Sequence, residues 1–174
     1  NLKKNIEGII LPVPSFYKNN LSIDFDKLKR FLNFQIKRNI KNFYLASTAS
    51  EFEFMSESER IEITKSVAMT IGKDKVLLAQ PIGSGSILSQ ANEGLKMMEV
   101  GASALVIKPQ PLKENANFFG SKYLSRSYSP NKHDQFYINY MNKIINLVKC
   151  PIIFHDQPFG TGIGLSLDAI KKIS

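Results

Sequence analysis

NFYLASTASEFEFMSESER, residues 42–60, is the stretch on which the fold turns. Phe43, Tyr44, Leu45 and Ala46 form a short apolar run of the buried-strand type. Ser47, Thr48, Ala49 and Ser50 are small and mostly hydroxylic, so the backbone there can come close to a ligand. Ser56-Glu57-Ser58-Glu59 has the capping-box spacing, with Ser56 as N-cap and Glu59 three residues on. Strand, polar turn and helix start therefore follow one another directly. Hydroxyls and free backbone N–H groups just past a parallel strand are a usual place for α/β proteins to bind small anions. The same residues also suit an ordinary βα loop with a good cap, and spacing alone does not separate the two.

Outward from this unit the pattern repeats. Glu7 to Val13 reads as a first buried strand, with Pro12 and Pro14 marking its exit. Leu28, Phe31, Leu32, Gln35 and Ile36 recur at helical spacing, with Lys27, Lys29, Arg30 and Lys37 on the other side. The helix opened at Glu57 runs to about Ile71, where Gly72 is a stop signal. Lys75 to Gln80 is a third strand, Ile87 to Val100 a third helix ended by Gly101, and Ala104 to Ile107 a fourth strand. The Gly83-Ser84-Gly85-Ser86 exit of strand three suits a phosphate loop only weakly; a βα loop with Ser86 near the cap is the simpler reading. Phe136 to Val148 is a fourth helix, with Phe136, Tyr140, Ile144 and Leu147 along one face. Pro151 to Phe154 is a fifth strand, and Leu165 to Ile170 opens a fifth helix.

Five βα repeats with buried strands predict a parallel sheet covered by helices. A closed (β/α)8 barrel needs eight strands and about 250 residues. The expectation is therefore a single α/β domain over 1–174 that is the leading portion of a TIM barrel, about five β/α units long. An open doubly wound sheet is the alternative. The pattern breaks once, at residues 110–134, which are polar and aromatic. Structureless loops longer than about 12–15 residues are uncommon unless functional. Phe118, Phe119, Tyr123 and Tyr128 suit a lid or a subunit contact; the other reading is a disordered insertion.

Composition bounds the function classes. The 174 residues are 43% hydrophobic and 22% charged, ordinary for a globular domain with a sizeable core. No apolar run approaches the ~20 residues of a membrane helix, and NLKKNIEGII lacks a signal-peptide apolar region. Cys150 is the single cysteine, which points to a reducing, cytoplasmic setting and a structural thiol. The net charge of +8 is spread over scattered lysines rather than a dense basic run with interleaved aromatics. Nucleic-acid binding is therefore not expected, nor a membrane partner.

The central stretch resembles a known family. STASEFEFMSESER, residues 47–60, is similar to the G-T/S-T-G-E-F-x-x-L-T-x-E-E-R signature of the dihydrodipicolinate synthase and N-acetylneuraminate lyase family. SIDFDKLKRFLNF, residues 22–34, resembles that family's first helix, and EVGASALVI, residues 99–107, its E-A-G-A-D-A-V-L-V. PIIFHDQPFGTGIGLS, residues 151–166, aligns without a gap on P-I-x-x-Y-N-x-P-x-R-T-G-x-x-L-S. The resemblance runs in order over nearly the whole chain. It implies a (β/α)8-barrel class I aldolase or lyase that forms a Schiff base with pyruvate or a related 2-oxo acid. It also implies a homo-oligomer, a dimer or tetramer, and no cofactor or metal, since the imine is the electron sink.

On that resemblance Ser47, Thr48 and Ala49 are the substrate-binding turn that holds the 2-oxo acid carboxylate. Thr48 keeps one family hydroxyl and is with His155 a candidate catalytic residue; Ala49 lacks the other hydroxyl, so only its N–H can serve. His155 stands at the family's catalytic Tyr, and an imidazole can relay protons near neutral pH. A merely structural role at the barrel mouth is the competing reading of His155. Asp156 stands at the family's Asn; neighbours on a strand point to opposite faces, so no direct pair with His155 is expected. Pro109-Gln110-Pro111 replaces a family P-Y-Y, and Gly160 replaces an Arg that some members use for a second carboxylate. The loss of that Arg argues against dihydrodipicolinate synthase itself. The Schiff-base Lys is expected beyond residue 174; Lys108 is the nearest candidate within the chain and reads better as a charge at the pocket rim. The alternative function is a catalytically degenerate member that binds a small carboxylic acid as a sensor or scaffold, favoured by Ala49, Pro111 and Gly160.

Overall fold

In this computed structural model the described residues are 6–46, 48–82, 86–108, 130–156 and 165–173. Five strands and five helices alternate through them: β1 Ile10–Pro12, α1 Phe25–Ile36, β2 Asn42–Leu45, α2 Glu57–Ile71, β3 Val76–Ala79, α3 Ile87–Glu99, β4 Ala104–Ile107, α4 Pro130–Val148, β5 Ile152–Phe154 and α5 Leu167–Ile173. All neighbouring strands pair in parallel, in the order β1-β2-β3-β4-β5. Sequential order without a reversal is the topology of a barrel arc; a doubly wound sheet would reverse at a switch point.

Local chemistry sets the helix ends. Asp24 caps α1 by accepting the Lys27 N–H at 2.9 Å, and Leu28 and Leu32 bury beneath it. The capping box of α2 forms as its spacing predicts: Ser56 Oγ accepts the Glu59 N–H at 3.3 Å and Glu59 Oε2 accepts the Ser56 N–H at 2.8 Å. Gly72 ends α2 with φ +81°, and Ser86 caps α3. Gly101 follows α3 at φ +117°, a conformation that disfavours any residue with a Cβ.

Alternation along the strands divides the core in two. Phe43, Leu45, Leu77, Ala79, Leu105 and Ile107 face the helices and pack with Leu32, Ile63, Val67, Met97, Met141 and Ile144. Val76, Leu78, Ala104 and Val106 face the other way, with Tyr44 and Ile153 beside them. Each large apolar side chain buried in this manner stabilises the fold by about 1.5–3 kcal/mol. That second face is the inner wall of a curved sheet. Strands are spaced by about 4.8 Å, so β2 and β5 would stand ~14 Å apart in a flat sheet. Yet the rings of Tyr44 on β2 and His155 after β5 lie with centroids 6.5 Å apart. The strands curl towards each other as a barrel wall requires.

Several sequence expectations need correction. β1 is three residues rather than the seven of Glu7–Val13, with Pro12 its last residue, and it is not buried: Ile10 and Pro12 are exposed. Helix α4 starts at Pro130, so residues 130–134 belong to a helix and not to the long loop; proline is at home in a first helical turn. Its buried face is Tyr137, Tyr140, Met141, Ile144 and Val148, whereas Leu147 is exposed. The rest of that loop, with Phe118, Phe119, Tyr123 and Tyr128, lies outside the described residues, as do Ser47, residues 83–85, Pro109-Gln110-Pro111 and Gly160. No helix among the described residues is long and apolar enough to cross a membrane.

Candidate active site

The site is built where the inner face meets the carboxyl ends of the strands. Gln80, Lys108 and His155 are each the first residue beyond their strand. They share parity with the inner-face residues Leu78, Val106 and Ile153, so alternation turns them to the same wall. The His155 N–H donates to the Ile107 carbonyl at 2.9 Å, which extends the ladder one residue past β5 and holds the histidine at the rim. The Tyr44 hydroxyl donates to Gln80 Oε1 at 2.7 Å and stands 3.4 Å from His155 Nδ1. The two rings meet nearly edge to face, at 69°. Side chains from β2, β3 and β5 thus form one connected polar chain over the apolar inner face.

Environment sets the protonation of this chain. Burial pushes the Tyr44 hydroxyl up to about 12, so it stays protonated through the neutral range. His155 is held below its ordinary value, first by burial and then by the Lys108 ammonium; the Asp156 carboxylate opposes them. A neutral imidazole is what a proton carrier needs before the transfer. Asp156 itself is exposed, and its Oδ2 accepts the Leu165 N–H at 3.3 Å, so it acts on His155 through charge alone. That agrees with the alternation argument against a direct pair. Among the described residues the Lys108 ammonium has no ion-pair partner.

The turn after β2 rises from the same rim. Ser50, fully buried, uses its hydroxyl to donate to the Val13 carbonyl at 2.6 Å and to accept the Ala46 N–H at 3.0 Å. Ser15 Oγ donates to the Ser50 carbonyl at 2.5 Å. These bonds tie the exit of β1 to the exit of β2, so Ser50 is structural and not a ligand group. Thr48 and Ala49 are exposed at the tip, and among the described residues their N–H groups make no hydrogen bond. The geometry leaves one hydroxyl and two amides of this turn available, at Thr48 and Ala49. No hydrogen bond or ion pair links Thr48 to His155; what joins the two loops is Tyr44 on β2, four residues before Thr48.

The turn is held from behind. Arg60 on α2 forms a bidentate pair with Glu93 on α3, Nε to Oε1 at 2.6 Å and Nη2 to Oε2 at 3.0 Å. Its Nη1 donates to the carbonyls of Phe52 and Met55, which bracket a short 3-10 turn, Phe52–Phe54. Gln90, buried on α3, donates to the Pro81 carbonyl at 3.0 Å and the Lys108 carbonyl at 3.4 Å, and its Oε1 accepts the Tyr140 hydroxyl of α4. The ends of β3 and β4 are thereby fixed to the helical layer.

Tyr44 and Gln80 were not among the residues that the sequence singled out. The signal was present in their parity with His155, but using it requires knowing that β2 and β5 curl together.

Residues 5–116 match the dihydrodipicolinate synthetase family. The fold and this match define the chain as a (β/α)8-type protein whose strands and helices are those of the N-terminal part of the barrel. It belongs to the dihydrodipicolinate synthetase family. It is 28% identical over 167 residues to 4-hydroxy-tetrahydrodipicolinate synthase of Brachyspira hyodysenteriae, covering 96% of this chain and 50% of that protein. It is 23% identical over 167 residues to N-acetylneuraminate lyase 2 of Escherichia coli O6:H1, covering 96% of this chain and 49% of that one. Among solved structures, YagE of Escherichia coli K12, a prophage protein of the dihydrodipicolinic acid synthase family solved with pyruvate, superposes with a TM-score of 0.75 at 18% identity, over 95% of this chain and 50% of that chain. The chain spans about half the length of the curated relatives it matches.

Proposed function

We propose that the protein is a lyase or aldolase that cleaves, condenses or dehydrates a 2-oxo acid of the pyruvate type through a lysine Schiff base. In this reading the carboxylate rests on the turn of Ser47, Thr48 and Ala49, using the Thr48 hydroxyl and the Ala49 amide. An amine from a lysine beyond residue 174 attacks the 2-oxo carbonyl and water leaves. The imine then draws electrons from the adjacent carbon. His155 takes up the proton released there, or in cleavage the proton of the hydroxyl that becomes the aldehyde oxygen, and returns it when the bond is remade or, in dehydration, to the hydroxyl that leaves as water. The observation that carries the reading is the meeting of the inner faces of β2 and β5, where the Tyr44 hydroxyl lies 3.4 Å from the His155 imidazole, on the strand that leads into the Thr48 turn. Membership of a family whose members are named as synthase and lyase supports it. Gly160 in place of an Arg favours an aldehyde partner less anionic than that of dihydrodipicolinate synthase. A homo-oligomer is the assembly this reading expects.

Reduction by borohydride in the presence of pyruvate tests it. A stable pyruvate adduct on one lysine of the full-length protein is the expected result, and its absence overturns the enzymatic reading. His155→Asn should leave the adduct and lower turnover by about 10²–10⁴-fold, the usual contribution of a general acid–base group. One observation favours a second reading, a binder without catalysis: Ala49 offers no hydroxyl at the exposed tip of the turn. Calorimetric binding of pyruvate with no trapped adduct is its signature.

A further inference from the structure

His155 can carry its neutral proton on either ring nitrogen, and only one choice leaves the other nitrogen as a base. Resting on the reading of His155 as the proton carrier, we propose that Tyr44 and Gln80 are positioning residues that hold His155 as its Nδ1–H tautomer and make Nε2 the nitrogen that exchanges protons with substrate. The argument is one of donor counting. Gln80 Oε1 can only accept. The Tyr44 hydroxyl has one proton and directs it to that oxygen at 2.7 Å. What Tyr44 then presents to Nδ1, at 3.4 Å, is an oxygen lone pair. A lone pair on Nδ1 would face it with repulsion, whereas an N–H there makes a hydrogen bond, a long one at this distance. The polarity of the chain thus runs from Nδ1–H to the phenol oxygen, and from the phenol proton to the amide oxygen.

Three further features suit this arrangement. Tyr44 keeps its proton far into alkali, so the chain does not lose its polarity near neutral pH. Nε2 makes no hydrogen bond among the described residues, so its lone pair is left for a ligand. The charged groups around the ring act at a distance: Lys108 from the end of β4 favours the neutral form, and Asp156, next in sequence, favours the cation. Neither fixes a tautomer. The opposite polarity would need the Gln80 amide turned over, with its NH2 towards Tyr44 and the phenol proton towards Nδ1, and it would leave Nε2 protonated and useless as a base.

Nitrogen NMR of the full-length protein, labelled on histidine and held at a pH where His155 is neutral, decides between them. The chain has two histidines, and a His133→Gln variant assigns the signals. The wild type should show the Nδ1–H tautomer at His155. Tyr44→Phe removes the acceptor and should shift the population towards Nε2–H. Gln80→Met removes the sink for the phenol proton, frees it to turn to Nδ1, and should also give Nε2–H by a different route. Circular dichroism checks that each variant is folded. In turnover, Tyr44→Phe should lower kcat about tenfold to a hundredfold with KM nearly unchanged, no more than the smallest contribution of the acid–base group itself. An Nε2–H wild type overturns the proposal, as does a tautomer indifferent to both substitutions. The NMR result stands apart from the chemistry. An Nδ1–H signal lost in Tyr44→Phe, with no borohydride adduct in the wild type, would keep the positioning chain and remove the Schiff-base reading.

Discussion

Replacing Glu93 by Ala isolates the device that holds the turn after β2. Glu93 is fully buried on α3, and Arg60 is nearly so on α2. Their bidentate contact is therefore screened little by water. Removing one partner of a buried pair strands the other charge and costs about 3–5 kcal/mol. Against a typical stability of roughly 5–15 kcal/mol for a whole protein, that is a large share. The double variant R60M/E93M should behave differently. Exchanging the pair for apolar groups of similar size is close to neutral. The carbonyls of Phe52 and Met55 still lose the donor that Arg60 gave them. At about 1 kcal/mol for each lost bond the double variant should sit ~2 kcal/mol below wild type, above E93A. Urea unfolding measures this as a fall in midpoint with unchanged slope. Hydrogen exchange adds the functional half: amides of residues 48–55 should exchange faster in R60M/E93M while those of β4 do not. An E93A cost under 1 kcal/mol, or a double variant worse than E93A, would refute the reasoning, because the pair would then be neither desolvated nor coupled.

Three other outcomes follow from named contacts. Ser56→Ala removes the α2 cap and should cost about 1 kcal/mol at neutral pH. Glu59 is held below its ordinary value, first by the Ser56 N–H and then by the Ser56 hydroxyl. A carboxyl lowered in the folded state contributes stability above its unfolded pKa and loses it as pH falls, so the Ser56→Ala deficit should shrink in acid urea titrations. Gly101→Ala should destabilise by about 1–3 kcal/mol, since a Cβ there would meet the Ala68 Cβ at 2.7 Å on a backbone at φ +117°, and an alanine methyl has no rotamer to yield; differential scanning calorimetry reads the drop. Lys108→Met removes a cation that helps hold His155 low, so an NMR titration should find the His155 pKa raised. With a depressed folded pKa, His155 supports the fold above its unfolded value and withdraws that support as pH falls, so this variant should also lose less stability between neutral and mildly acid pH.

What the sequence made legible followed how strictly one residue pattern excludes its alternatives. Ala104 to Ile107 is a fully buried apolar run between Gly101 and Lys108, and β4 has those bounds to the residue. Helix α2 matches from Glu57 to Ile71 because the Ser56 box and Gly72 leave no other ends. The start of helix α4 is hard to see in sequence because the polar run before Phe136 looks like loop, although Pro130 suits a first helical turn. His155 could be singled out because a polar ring after an apolar strand stands out. Tyr44 could not, because within Phe43-Tyr44-Leu45-Ala46 it passes for one more core aromatic. Its role depends on the curl of a sheet that brings side chains from strands three places apart together, a property of five elements and not of any one stretch. Thr48 shows the converse. Its turn is conspicuous in sequence, yet among the described residues it has no hydrogen-bond partner on the inner wall. On the reading proposed above, coupling between a bound carboxylate and His155 runs through Tyr44 below the turn or through the substrate above it. The two routes differ in one measurable way. If Tyr44 is the link, Tyr44→Phe disturbs His155 in the empty protein; if the substrate is, Thr48→Val weakens pyruvate binding and leaves the His155 signal of the empty protein where it was.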